Sequence, residues 1–147
     1  LLAIAAENIM SLRKKIMKQV SRLALSLLLL RLSIFIVMFV WTLDKFFNPD
    51  HARAVFENFY LISGLSNGVI FLIGIVQLAI VLGFVTGFQK NRCYFLVLLL
   101  HAGSTFASFR QYLDPFNNLL FFAALPMLAA CFTLFLLRDA DTLWTVD

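Results

Sequence analysis

Charge is scarce in this chain. Only 14% of its 147 residues are Asp, Glu, Lys or Arg, 62% are hydrophobic and the mean hydropathy is +0.92. Soluble domains carry about 25% charged and roughly 45–50% apolar residues. A soluble fold of this length has too little interior to hide so much apolar surface, so the bilayer is read as the solvent. Cysteine is almost as scarce. Cys93 and Cys131 form no CxxC pair and have no metal-ligand spacing around them, which argues against a disulfide framework and a zinc site. The two histidines, His51 and His101, are too far apart for a ligand box, and no Gly-rich phosphate loop, GxSxG elbow or carboxylate-rich metal motif occurs. No metal is expected and no catalytic residue is assigned.

The net charge of +4 and pI near 9.4 do not point to nucleic acid, because the basic residues bracket apolar runs and form no face with polar or aromatic readers. They read as topology signals and contacts to anionic lipid. Residues 1–9 lack an initiator Met, and Met10 or Met17 makes a natural start, so this piece is set apart as a candidate non-native extension. Residues 11–22 carry Arg13, Lys14, Lys15, Lys18 and Arg22, with Leu12, Ile16, Val20 and Leu23 at three- and four-residue spacing. That pattern predicts a basic amphipathic helix leading into the first span. The apolar run after it is long and no small-residue cleavage site follows, so an uncleaved anchor is expected rather than a signal peptide.

Four spans are expected, at about residues 23–43, 65–88, 93–112 and 116–137, in one membrane domain covering the chain. Asn48-Pro49-Asp50 follows the first span. There Asn48 can cap, Pro49 can take the first helical position and Asp50 favours the positive end of the dipole, so a short helix is expected over about residues 49–61. It either lies along the periplasmic membrane surface or packs on the bundle. Gly64/Gly68 and Gly83/Gly87 have the small-xxx-small spacing that permits close helix approach. His101, Ser104, Thr105 and Ser108 form a polar stripe expected to face other helices, and Pro126 is expected to kink the fourth span. The fold class is thus an all-α membrane protein, a four-transmembrane-helix bundle with a cytoplasmic amphipathic N-terminal helix and a periplasmic interfacial helix. Eight of the Lys and Arg residues (13, 14, 15, 18, 22, 90, 92 and 138) fall on one side and three (Lys45, Arg53 and Arg110) on the other. By the positive-inside rule both termini should be cytoplasmic.

Inside the first span stands one charge, Arg31. Counted along the helix it lies roughly 13 Å past Arg22, with His101 roughly 12 Å and Gln77 roughly 16 Å inside their own spans. Intramembrane polar groups tend to face an interior or a cavity. Arg31, Gln77 and His101 are therefore candidates for a pocket, and because the apolar spans hold no Asp or Glu, the expected partner of Arg31 is backbone carbonyls, lipid phosphate, or an anionic or carbonyl-bearing ligand such as a quinone. The alternative is that Arg31 snorkels, Gln77 makes an interhelical bond and His101 packs. At the outer rim Asp44, Lys45, Arg110 and Asp114 are candidates for an ion-pair cluster or a partner-docking surface, against a plain solvated rim. Cys93 and Cys131 are read as small apolar packers.

The first span, LLLRLSIFIVMFVWTLDKFFNP, resembles that of the DoxX-like family of small four-span bacterial membrane proteins: Arg31 lies within the span, and Lys45, Phe46, Phe47 and Pro49 mark its outer end. The second span, IGIVQLAIVLGFVTG, looks like the family's glycine-bearing one, with Gln77 where a Glu is common; Val40, Trp41 and Thr42 replace small residues. The resemblance implies a protein of the bacterial inner membrane, an accessory to redox systems. The leading expectation is an auxiliary, non-catalytic bundle that serves a redox or envelope-stress system and binds a partner protein, a lipid-soluble ligand or a second copy of itself. Two alternatives stay open: a quinone-reactive subunit of a membrane oxidoreductase, and an oligomeric small-solute transporter or channel.

Overall fold

The computed structural model describes residues 2–146, the first five of these by backbone alone. The helices are α1 (Leu2–Phe47), α2 (Pro49–Tyr60), α3 (Asn67–Thr86), α4 (Lys90–Ala107), α5 (Phe109–Tyr112) and α6 (Ala124–Leu136). Tight 3-10 turns occur at Pro115–Asn117, Leu119–Ala123 and Arg138–Ala140. No strand occurs among the described residues. Three stretches are long and apolar enough to cross a membrane: one within α1, one at α3, and Leu119–Leu136. α4 is not among them. Lys90, Asn91 and Arg92 in its first turn and the polar stripe from His101 onward lower its hydropathy.

No Gly or Pro interrupts residues 2–47, so the basic segment and the first span form one unbroken helix. Glu7 to Leu23 are exposed; burial begins at Ala24 and then follows Leu27, Leu28, Arg31, Ile34, Met38 and Thr42, the stripe expected of a helix packed on one side. α1 packs on α3, α3 on α4, α4 on α6, and α6 closes back on α1. The core gathers Leu27, Ile34 and Met38 of α1, Val81 and Phe84 of α3, Tyr94 and Val97 of α4, and Cys131 and Leu134 of α6. Phe84 and Tyr94 meet edge to face at 4.9 Å. Outside this core Leu29, Ile36, Val40, Leu72, Ile75, Leu99, Phe132 and Leu136 stay exposed, an apolar girdle that fits lipid.

Close approach uses fewer glycines than expected. Gly64 lies in the connection before α3 and has nothing near its missing Cβ, and Gly68 faces only Ser66. A Cβ on Gly83 would sit 2.7 Å from the Cys93 sulfur, and one on Gly74 would sit 2.8 Å from the Phe46 ring, so these two let α4 and α1 close on α3. Gly87 ends α3 in the left-handed region, φ 69°, where glycine alone is unstrained.

Pro49 does open α2, but Asn48 gives it no side-chain cap and donates instead to the Asp44 carboxylate at 3.3 Å. α2 packs against α1, α3 and α4, with Ala52 buried and the Phe59 ring 5.8 Å from that of Phe121, so it covers one end of the helices. Arg53 fixes its direction: Nε donates to the Leu65 carbonyl at 2.9 Å, and the guanidinium also reaches the Asn67 and Asp50 side chains. The expected third span breaks at Ser108, where α4 gives way to α5. Pro126 bends no long helix. It stands in the first turn of α6, where its missing N–H is harmless, and its ring cannot follow an α-helical turn, which accounts for the 3-10 geometry of Leu119–Ala123 before it.

Candidate functional site: the buried Arg31 cluster

Arg31 is fully buried. An arginine there needs acceptors, and the chain supplies them from three places. Asp141 pairs with Nη1 at 3.0 Å, the Tyr94 hydroxyl lies 3.2 Å from the same nitrogen, and Nη2 donates to the Leu143 and Trp144 carbonyls. Tyr94 in turn donates to the same Asp141 oxygen at 2.7 Å. Asp141 is as buried as Arg31. The ion pair therefore joins α1, α4 and the segment after α6 in one polar knot beside the Phe84 ring. Arg31 Nε and Asp141 Oδ1 are buried without a partner.

Asp141 is there because the chain turns back after α6. The 3-10 turn Arg138–Ala140 redirects it, Arg138 donates to the Asn91 side chain and to the Phe135 carbonyl, and the Val146 amide donates to the Thr86 carbonyl at 3.0 Å. Thr145 lies against Gly87, where a Cβ would sit 2.6 Å from its methyl group. Residues 138–146 thus form a strap across the end of α3, the start of α4 and the middle of α1 at Arg31, and the exposed 7–23 stretch of α1 projects beyond it.

The expected convergence of Arg31, Gln77 and His101 is not what the structure brings together. Arg31 bonds near the start of α4, and His101 lies two turns further along that helix, about 10 Å away in level. His101 is buried and its Nε2 donates to the Ala124 carbonyl at 3.0 Å, tying α4 to the start of α6. Thr105, one turn on, donates to the His101 carbonyl at 2.8 Å. Gln77 is buried on α3 and contributes no bond to the Arg31 knot. None of the three lines either of two surface hollows among the described residues: one of about 450 Å³ is lined by Gln89 to Arg92 and Asp139, the other of about 280 Å³ by Phe116 to Phe121.

The rim residues Asp44, Lys45, Arg110 and Asp114 form no cluster either. His51 Nδ1 lies 2.7 Å from Asp44, Lys45 donates to the Trp41 carbonyl at 3.1 Å, and Asn117 donates to Asp114 at 2.9 Å. Arg110 lies 6.0 Å from the Phe109 ring centroid. Asp44, Lys45 and Asp114 thus bond to near neighbours in sequence, the local competition typical of loop carboxylates and amides. Nearby, burial pushes the Tyr60 phenol above its ordinary value, and its hydrogen bond to Ser104 opposes the rise. Cys93 and Cys131 form no disulfide and sit in packing positions, Cys93 against Gly83 and Cys131 in the core.

Sequence reasoning missed Asp141 and Tyr94. The usable signal was the rule that a buried guanidinium must find an anion. With none inside the spans, the acidic residues after Arg138 were the place to look. Set against family models, characterised proteins and solved structures, the chain matches none of them.

Proposed function

We propose that this chain is a four-span protein of the bacterial inner membrane that acts as a non-catalytic accessory, holding a partner protein in the membrane. The observation that carries this reading is the state of its interior. The polar groups most suited to chemistry, Arg31, Tyr94, Asp141 and His101, are engaged with one another or with the chain's own backbone, so they fasten helices together. With these groups closed on one another, partner binding falls to the surface. The exposed apolar girdle supports membrane residence, and the packing of α4 between α3 and α6 supports reading it as a further span although it is less apolar. The excess of Lys and Arg at the strap end supports placing that end in the cytoplasm. The likeness of the first span to the DoxX-like family supports an accessory role in a redox or envelope-stress system.

Affinity purification from native membranes in mild detergent tests this. A partner should co-purify in fixed ratio and survive the Arg110→Glu change less well than wild type if the outer end is the docking face. Quinone-dependent turnover by the isolated chain would reject the reading in favour of an oxidoreductase subunit.

A further inference from the structure

The geometry points to a carboxylate-binding site made by Arg31 and Tyr94, which the chain fills with its own Asp141 and which a carboxylate of another molecule enters when the strap lifts. This inference is independent of the accessory role above. It needs only α1, α4 and residues 138–146.

Three observations carry it. First, the receiving groups and the received group belong to different parts of the fold. Arg31 and Tyr94 stand on the packed helices, while Asp141 arrives on a strap. Second, the fit leaves bonds unmade. Arginine binds a carboxylate best through two parallel N–H···O bonds, yet Asp141 uses one oxygen for both Arg31 and Tyr94, so its Oδ1 and the Arg31 Nε are left buried and unpaired. A free carboxylate that replaces Asp141, unrestrained by a backbone, can turn to face Nε and a neighbouring Nη together, so that Nε gains its partner and both oxygens of the incoming group are used. Third, the strap is lightly held. Trp144 and Val146 are 77% and 69% exposed, so few apolar contacts retain it. Trp144 also sits at φ 53°, a left-handed conformation unfavourable for a non-glycine residue. Polar bonds dominate the closure, and those are the bonds a competing carboxylate replaces.

The ligand class is a carboxylate, from either a small organic acid or an acidic peptide. The test uses the full chain in detergent, comparing wild type with Asp141→Ala. The variant leaves Arg31 without its anion beside a carboxylate-sized gap and should unfold about 10 °C lower. Formate or acetate, against chloride at equal ionic strength, should restore much of that loss in a saturable way, and no restoration should occur in Arg31→Leu/Asp141→Ala. Should Asp141→Ala fail to fold, the yield of monodisperse protein with and without formate becomes the readout.

The second arm asks whether the strap is displaced in the intact protein. Hydrogen exchange across residues 142–146 of wild type should rise severalfold with added carboxylate while the Tm holds. A structural staple would not respond. A peptide copying residues 138–146, set beside its Asp141→Asn form, separates the sources: rescue by the peptide alone assigns the site to acidic segments, and rescue by acetate assigns it to small acids. If no carboxylate restores Asp141→Ala, or if wild-type exchange at 142–146 stays flat, the proposal is wrong.

Discussion

At the scale of single residues, Arg31 and Asp141 form a pair whose halves are worth more together than apart. Removing one partner of a buried ion pair strands the other charge, at a cost of about 3–5 kcal/mol, while replacing both with apolar side chains is often close to neutral. Arg31→Leu and Asp141→Leu should each lower stability strongly, and the double variant should be more stable than either. Denaturant unfolding in micelles, read as a double-mutant cycle, measures this. Gly83 offers a second residue-scale case. A methyl group there meets the Cys93 sulfur, and overpacking of this kind costs about 1–3 kcal/mol. Gly83→Ala should therefore destabilise, and Cys93→Ala in the same chain should recover most of the loss; equal loss in the two backgrounds would show that some other contact sets the limit.

At the scale of elements, the polar bonds that tie α2 to the connection before α3 come from one side chain. Arg53 ties it to Leu65 and Asn67 across the connection that leads into α3. Arg53→Met keeps the apolar stem and removes those bonds. It should raise amide exchange in α2 and residues 61–66 while leaving α3 and α4 protected; protection lost throughout would show that α2 folds only together with the rest. Part of the structure at this scale was legible in the sequence. Pro49 marks the start of α2, whereas Gly87, expected to serve close helix approach, ends α3 instead. The misplaced features have a common cause. Ser108 and Pro126 alter backbone geometry only in combination with what packs beside them, so the break after α4 and the 3-10 start of the last helix were read as continuous spans. The strap was illegible for a related reason: residues 138–146 have the composition of a solvated end, and only a guanidinium on a distant helix gives Asp141 a reason to be buried. The candidate site was thus half visible, with Arg31 identified as the centre and its partners sought in the wrong segments.

Taken whole, the molecule presents apolar surface around its sides and polar groups at two ends, one holding α2 and α5, the other the strap and the projecting part of α1. If four segments cross the bilayer, these ends lie on opposite sides of it. Single cysteines placed at Asn118 and at Gln89, in a chain freed of Cys93 and Cys131, report this directly. A membrane-impermeant maleimide applied to intact spheroplasts should label position 118 and spare position 89 until the membrane is opened. Labelling of both positions in intact cells would mean that α4 does not cross.

The closure of α1 by the strap also sets an order of assembly. Arg31 and Asp141 are 110 residues apart in sequence, and synthesis proceeds from the N-terminal end. Arg31 thus meets the membrane long before its counter-charge exists, and must keep its head toward water or headgroups in the meantime. The first helix should remain able to shift along the membrane normal until residues 138–146 emerge. Docking of Asp141 onto Arg31 would then be the event that locks its depth.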